Sequence, residues 1–302
     1  QHGPSQLFLA MLLYCLVKGL RDERYLAYAG FPMAAAVAMR SSDLLMVLPV
    51  AAWIVYAHRR HAWRLVLWAL PPAAALAAYH VVYFGAPDHG LGHTTAPAWA
   101  LFAQMPLSEG LPGVLVSPSR GLFVYSPVLL FSLAGMITVW QRGPALWRAL
   151  SLGPPMVVLL ISKWLTWWGG HSWGPRLLAD ADPILCFFLY PIAVHLDRRR
   201  LAKALFVALA LWSIAAHALG AFLYDGRWDA LATDQGGARL WRWAESPLVF
   251  YGREALSSLS RFGWPSPGAR PTSASSPELL TASYQAGPAP AEVTSGERFV
   301  VP

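Results

Sequence analysis

Asparagine is absent from all 302 residues, and lysine occurs only at Lys18, Lys163 and Lys203. Arginine carries the rest of the positive charge, a bias that fits a GC-rich bacterial genome. Charge of either sign is scarce. Charged residues make up 13% of the chain and hydrophobic ones 56%, whereas a soluble domain carries roughly 25% charged residues. The shortfall excludes an ordinary water-soluble domain. With a mean hydropathy of +0.41, it indicates a polytopic membrane protein.

Cysteine is nearly missing too. Cys15 and Cys186 both sit in apolar runs, near opposite membrane faces in the topology below, so they read as small hydrophobes and not as a disulfide. The sequence contains no Walker loop, no dinucleotide fingerprint, no GxSxG and no HExxH. No basic region precedes Leu7, which argues against a cleavable signal peptide. The chain opens at Gln1 within what reads as a loop, so the expectation is a fragment lacking upstream sequence.

What the chain does have is apolar runs at even spacing. Candidate membrane segments are Pro4–Val17, Tyr25–Met39, Leu44–Ala57, Leu65–Phe84, Leu122–Trp140, Ala145–Leu165, Leu177–Leu196 and Leu201–Leu223. A crossing takes about 20 residues, so the first three are short. Every second connection is basic: Lys18 to Arg24, Arg59 to Arg64, Arg142 to Arg148, and Arg198 to Lys203. By the positive-inside rule these face the cytoplasm. Arg40–Asp43, Gly85–Gly121, Thr166–Arg176 and everything after Tyr224 then face outward.

The fold expected is an all-α polytopic transmembrane bundle of about eight spans over residues 1–223. An extracytoplasmic interfacial segment should follow over 224–263, rich in Trp228, Trp241, Trp243 and Tyr251. Residues 264–302, rich in Pro, Ser, Ala and Gly, should be a disordered tail. A pI near 9.6 would suit nucleic acid, but the basic loops account for the charge, so no nucleic-acid partner is expected.

Chemistry should gather where odd-numbered spans begin, because helix N-termini favour anions. Those starts contain His2-Gly-Pro-Ser5, Arg40-Ser-Ser-Asp43, Ser117-Pro-Ser-Arg-Gly121 and His171-Ser-Trp-Gly-Pro-Arg176. Outward arginines are not explained by the positive-inside rule. Arg176, Arg120 and Arg40, with His171 and Ser119, would form a cationic, donor-rich cup for a phosphate or pyrophosphate.

Plainer readings exist for each. Arg176 snorkels while Trp167, Trp168 and Trp173 form an aromatic belt; Arg120 anchors at the interface; Arg40 pairs with Asp43; Asp180 and Asp182 pair with Arg176. His80 reads as a bundle contact, and His58, His61 and His195 as cytoplasmic-interface residues. His89 and His93 in DHGLGH have helix-face spacing, but the glycines oppose a helix and no third ligand is near, so no metal or other cofactor is expected.

The segments QHGPSQLFLAMLLY (1–14), AVAMRSSDLL (36–45), VSPSRGLFVYSPVLLFSLAG (116–135), WWGGHSWGPRLLADADP (167–183) and RLWRWAESPL (239–248) resemble bacterial polytopic membrane proteins grouped with the GT-C glycosyltransferases, which include the protein mannosyltransferase-like enzymes. The resemblance runs in order to about Phe250, with the SPSRG and WWGGHSWGPR blocks its most specific parts. Where that family often has Arg-Pro-Thr, this chain has Arg40-Ser41-Ser42.

The resemblance implies transfer of a sugar from a polyprenyl-phosphate donor to an acceptor at the extracytoplasmic face of a bacterial inner membrane. It places the catalytic acid residue in a first outer loop upstream of Gln1, so this fragment alone is expected to be inactive. A transporter or flippase of lipid-linked anions, or a non-catalytic membrane scaffold, are the alternatives. The partners expected are a lipid-linked sugar donor and the bilayer itself.

Overall fold

A computed structural model describes residues 2–85, 104–196, 199–230 and 238–261. Among these every regular element is helical. On α1 (His2–Gly19), Ser5, Leu9, Leu12, Leu16 and Gly19 recur three or four residues apart and are buried, while Leu7, Tyr14 and Val17 on other faces are exposed. α2 (Arg24–Tyr28) and α3 (Gly30–Met39) meet at Ala29, and a 3₁₀ turn over Ser41–Asp43 leads into α4 (Leu44–Ala57). α5 (Ala62–Phe84) follows. Residues 107–116, inside the expected outer loop, form α6 (Leu107–Val116).

α7 (Leu122–Tyr125) and α8 (Leu130–Arg142) are separated at Ser126–Pro127, where proline cannot continue the preceding hydrogen-bond ladder. α9 (Ala145–Ser162) leads to the Trp167–Arg176 turn, a 3₁₀ segment Arg176–Ala181, α10 (Asp182–Phe187), α11 (Tyr190–Leu196) and α12 (Arg200–Leu223). α13 (Arg227–Ala230), two 3₁₀ turns (Ala238–Trp241, Trp243–Glu245) and α14 (Pro247–Arg261) end the described chain.

Among the described residues, four segments are long and apolar enough to cross a membrane: α5, α9, Arg176–Val194 and α12. The other expected spans also fold as helices: α1 is an unbroken 18 residues but less apolar, and the rest are shorter or broken. α4 has 14 residues, a rise of about 21 Å against a hydrocarbon core of about 30 Å. The exposed faces speak for an apolar solvent. α5 buries only Leu65 and α12 only Ser213 and Ala216, while Val82, Leu201 and Phe222 are exposed. Apolar surface on that scale is stable against hydrocarbon, not water.

Glycines let the helices approach closely. A Cβ on Gly30 would lie 2.0 Å from the Leu65 carbonyl oxygen, and one on Gly153 would lie 2.8 Å from Met46 Cα. α3 therefore rests on α5, and α9 on α4, backbone against backbone, as small residues permit inside membranes.

The connections sort to two ends of α1. At one end Glu23 meets His58 at 3.4 Å, with Arg59 over Tyr56 and Arg64 over Trp63. At the other, His2, Arg40, Ser117–Arg120, the Trp167–Arg176 turn and Asp229 converge through the bonds described next. These elements belong to one unit, Gln1–Leu259. His89, His93 and the tail 264–302 lie outside the described residues, as do the side chains of His61 and His195.

Candidate functional site

A cavity of about 500 Å³ opens at the convergent end. Its wall is built from His2 of α1, Arg40, Ser41 and Ser42 after α3, Trp164 after α9, and Gly169 and Arg176 of the turn. Arg40 stands in extended backbone (φ −150°) where α3 stops, which turns its side chain across the mouth of α1. There its Nε lies 2.9 Å from Asp180 Oδ2, and His2 Nδ1 lies 3.0 Å from Asp180 Oδ1. Asp180 is only 2% exposed. Its charge answers Arg40, so the cavity's remaining cation is Arg176, which is exposed and has no hydrogen-bond or ion-pair partner among the described residues.

Two expected pairings are corrected here. Arg40 pairs with Asp180, and Asp43 instead accepts a hydrogen bond from the buried Ser5 hydroxyl. Asp180 turns toward α1 and so leaves Arg176 free. The reason is packing: α1 lies against the Arg176–Ala181 segment, and Gln6 Nε2 also donates to the Ala179 carbonyl at 2.7 Å.

Arg120 has a different fate. Its side chain is 2% exposed, and four of its five N–H donors are taken: Nε to Trp168 O (3.1 Å), Nη1 to Ser119 O (3.1 Å), Nη2 to Gly170 O (3.3 Å) and to Asp229 Oδ1 (2.7 Å). It is a strut behind the cavity, not a surface anchor or a free phosphate donor. Ser119 is fully buried, and its carbonyl also accepts the Tyr125 hydroxyl at 2.9 Å. His171 projects from the turn without lining the cavity. Of the five residues expected to form the cup, the structure brings Arg176 and Arg40 to one cavity, puts Arg120 and Ser119 in the wall behind it and leaves His171 at the surface.

The turn itself is built from three left-handed glycines, Gly169, Gly170 and Gly174, at φ +78°, +67° and +56°. Only glycine adopts that backbone without penalty. Two of its tryptophans are seated against neighbouring helices. Trp167 is 3% exposed against Gly113, and Trp173 fills the space over Gly220 and donates to Ala216 O at 3.2 Å. Arg176 begins a six-residue 3₁₀ segment, and α7 has four residues. The helix-terminus contribution expected at these positions is therefore not built; guanidinium groups carry the positive charge.

Beyond the same segment lies an apolar groove of about 280 Å³, whose wall includes Leu115, Phe123, Pro155, Leu159, Leu178 and Leu185. α9 and the 3₁₀ segment contribute to both spaces: Leu160 and Leu177 face the cationic cavity, Leu159 and Leu178 the groove. His2 and Asp229 are the site residues that the sequence reading did not assign. A signal existed for His2, at the start of a span; Asp229 lies in an aromatic-rich stretch with no motif. Comparison with family models, curated proteins and solved structures gives no match in any of the three.

Proposed function

We propose that this chain acts as a GT-C-like membrane glycosyltransferase that takes a sugar from a polyprenyl-phosphate donor and passes it to an acceptor at the extracytoplasmic face of a bacterial inner membrane. The observation that carries the reading is the uncompensated Arg176 in a half-open cavity beside a second arginine, next to an apolar groove. A lipid phosphate needs both a cation and an apolar wall. Arg176 takes the phosphate, bidentately where geometry allows, and Arg40, steadied by Asp180, flanks it. The prenyl chain lies along Leu159, Leu178 and Phe123.

When the glycosidic bond to the lipid phosphate breaks, negative charge builds on the departing phosphate, and fixed guanidinium groups stabilise it without reorganisation. The catalytic base is not assigned to a residue of this chain. About eight spans, with the basic loops cytoplasmic, complete the proposed topology. The test is transfer of a radiolabelled sugar from the lipid donor by the full-length protein in proteoliposomes. Arg176→Ala is expected to abolish transfer with insertion intact; transfer near the wild-type rate would remove the assignment.

A further inference from the structure

We propose that Asp229, acting through Arg120, is a positioning residue that locks the Trp167–Arg176 turn in the shape that presents Arg176; the proposal rests on the phosphate-holding role given to Arg176 above. Arg120 and Asp229 are 2% and 6% exposed, so neither charge is screened by solvent. The three carbonyl oxygens around Arg120 orient the guanidinium but carry no formal charge. Asp229 supplies the neutralising one, and its second oxygen accepts the Tyr224 hydroxyl at 2.6 Å. Burial raises the Tyr224 phenol above its ordinary range, and the bond to Asp229 raises it further, which keeps the hydroxyl a donor.

The segment after α12 is itself fixed around this pair. Arg120 (5.0 Å) and Arg239 (4.1 Å) both lie over the Trp228 ring, and Arg239 Nη1 donates to Trp228 O at 3.0 Å. Ser117 Oγ donates to Leu240 O at 2.7 Å, and Trp228 Nε1 to Glu245 O at 2.6 Å.

On the other side of Arg120 is a turn with little rigidity of its own. Glycine loses more backbone freedom on ordering than any other residue, and three lie between Trp168 and Pro175. Arg120 binds the carbonyls that flank Gly169, and Gly169 lines the cavity of Arg176. Removing Asp229 leaves a buried, unpaired cation, which the interior does not tolerate. The guanidinium then seeks water and releases the Trp168 and Gly170 carbonyls. Lysine cannot replace it, because one ammonium with three donors cannot span four acceptors.

The test uses the full-length protein in nanodiscs, with Cys15 and Cys186 changed to Ala and a nitroxide label at His171→Cys. Label mobility and binding of a polyprenyl phosphate are measured together. Asp229→Ala is expected to mobilise the label and weaken binding about tenfold or more; Asp229→Glu restores both, and Arg120→Lys restores neither. If Asp229→Ala does not insert, Asp229→Asn carries the same two readouts, since it removes the charge and keeps the volume. An unchanged label with unchanged binding in either variant overturns the proposal, as does a wild-type-like Arg120→Lys. A label that mobilises in a protein whose wild type binds no polyprenyl phosphate supports the latch and removes the phosphate reading.

Discussion

Two arginine–aspartate pairs stand behind the same turn, and they do opposite things. Arg120–Asp229 is sealed: four of the guanidinium's five N–H donors are taken, and Trp228 covers one face. Arg40–Asp180 is half-open. Arg40 is 16% exposed and lines a cavity with Arg176, which has no counter-charge of its own among the described residues. The first pair builds the wall; the second leaves Arg40 partly open to the cavity beside Arg176. What separates them is the number of partners, not residue type, because an arginine becomes a ligand-binding group only when its protein partners leave donors over.

This contrast orders the effects of substitution on stability. Arg120→Ala should be the most damaging, at about 3–5 kcal/mol, because it orphans a buried carboxylate; denaturant unfolding in detergent measures it. Trp173→Ala, which empties the space over Gly220, should cost roughly 3 kcal/mol and lower the melting temperature of the purified protein. Arg40→Ala should cost less, about 1–3 kcal/mol, since Asp180 keeps His2. Asp180→Asn should recover part of that loss, which a double-mutant cycle reads directly. Arg227→Ala should leave both melting temperature and ligand binding unchanged, because its bonds to Asp225 and Glu254 are at the surface. A large effect there would blur the comparison between sealed and open charge.

Much of this was legible in the chain. The Leu44–Ala57 run is a helix with those bounds, and the Leu201–Leu223 run is one residue longer as Arg200–Leu223. Apolar length and the flanking arginines suffice for that, since both are local. The gathering of His2, Arg40 and Arg176 at one end follows from alternation alone.

The division of labour among the arginines was not legible. SPSR and GPR look alike as strings, and what sets Arg120 apart is Asp229, 109 residues further on. The seat of Trp173 was hidden for a similar reason, because only the packing of α12 places it over Gly220. The break at Ser126–Pro127 was signalled by its proline, yet the four-residue length of α7 depends on how that corner packs against α12.

The central claim is that Arg176 is, among the described residues, the free cation of this wall. Its most direct test is binding of a polyprenyl phosphate to the full-length protein and to Arg176→Ala, with unfolding measured on the same samples. The account predicts that stability stays within about 0.5 kcal/mol while affinity falls at least about tenfold. Undiminished affinity in a stable Arg176→Ala protein would contradict it.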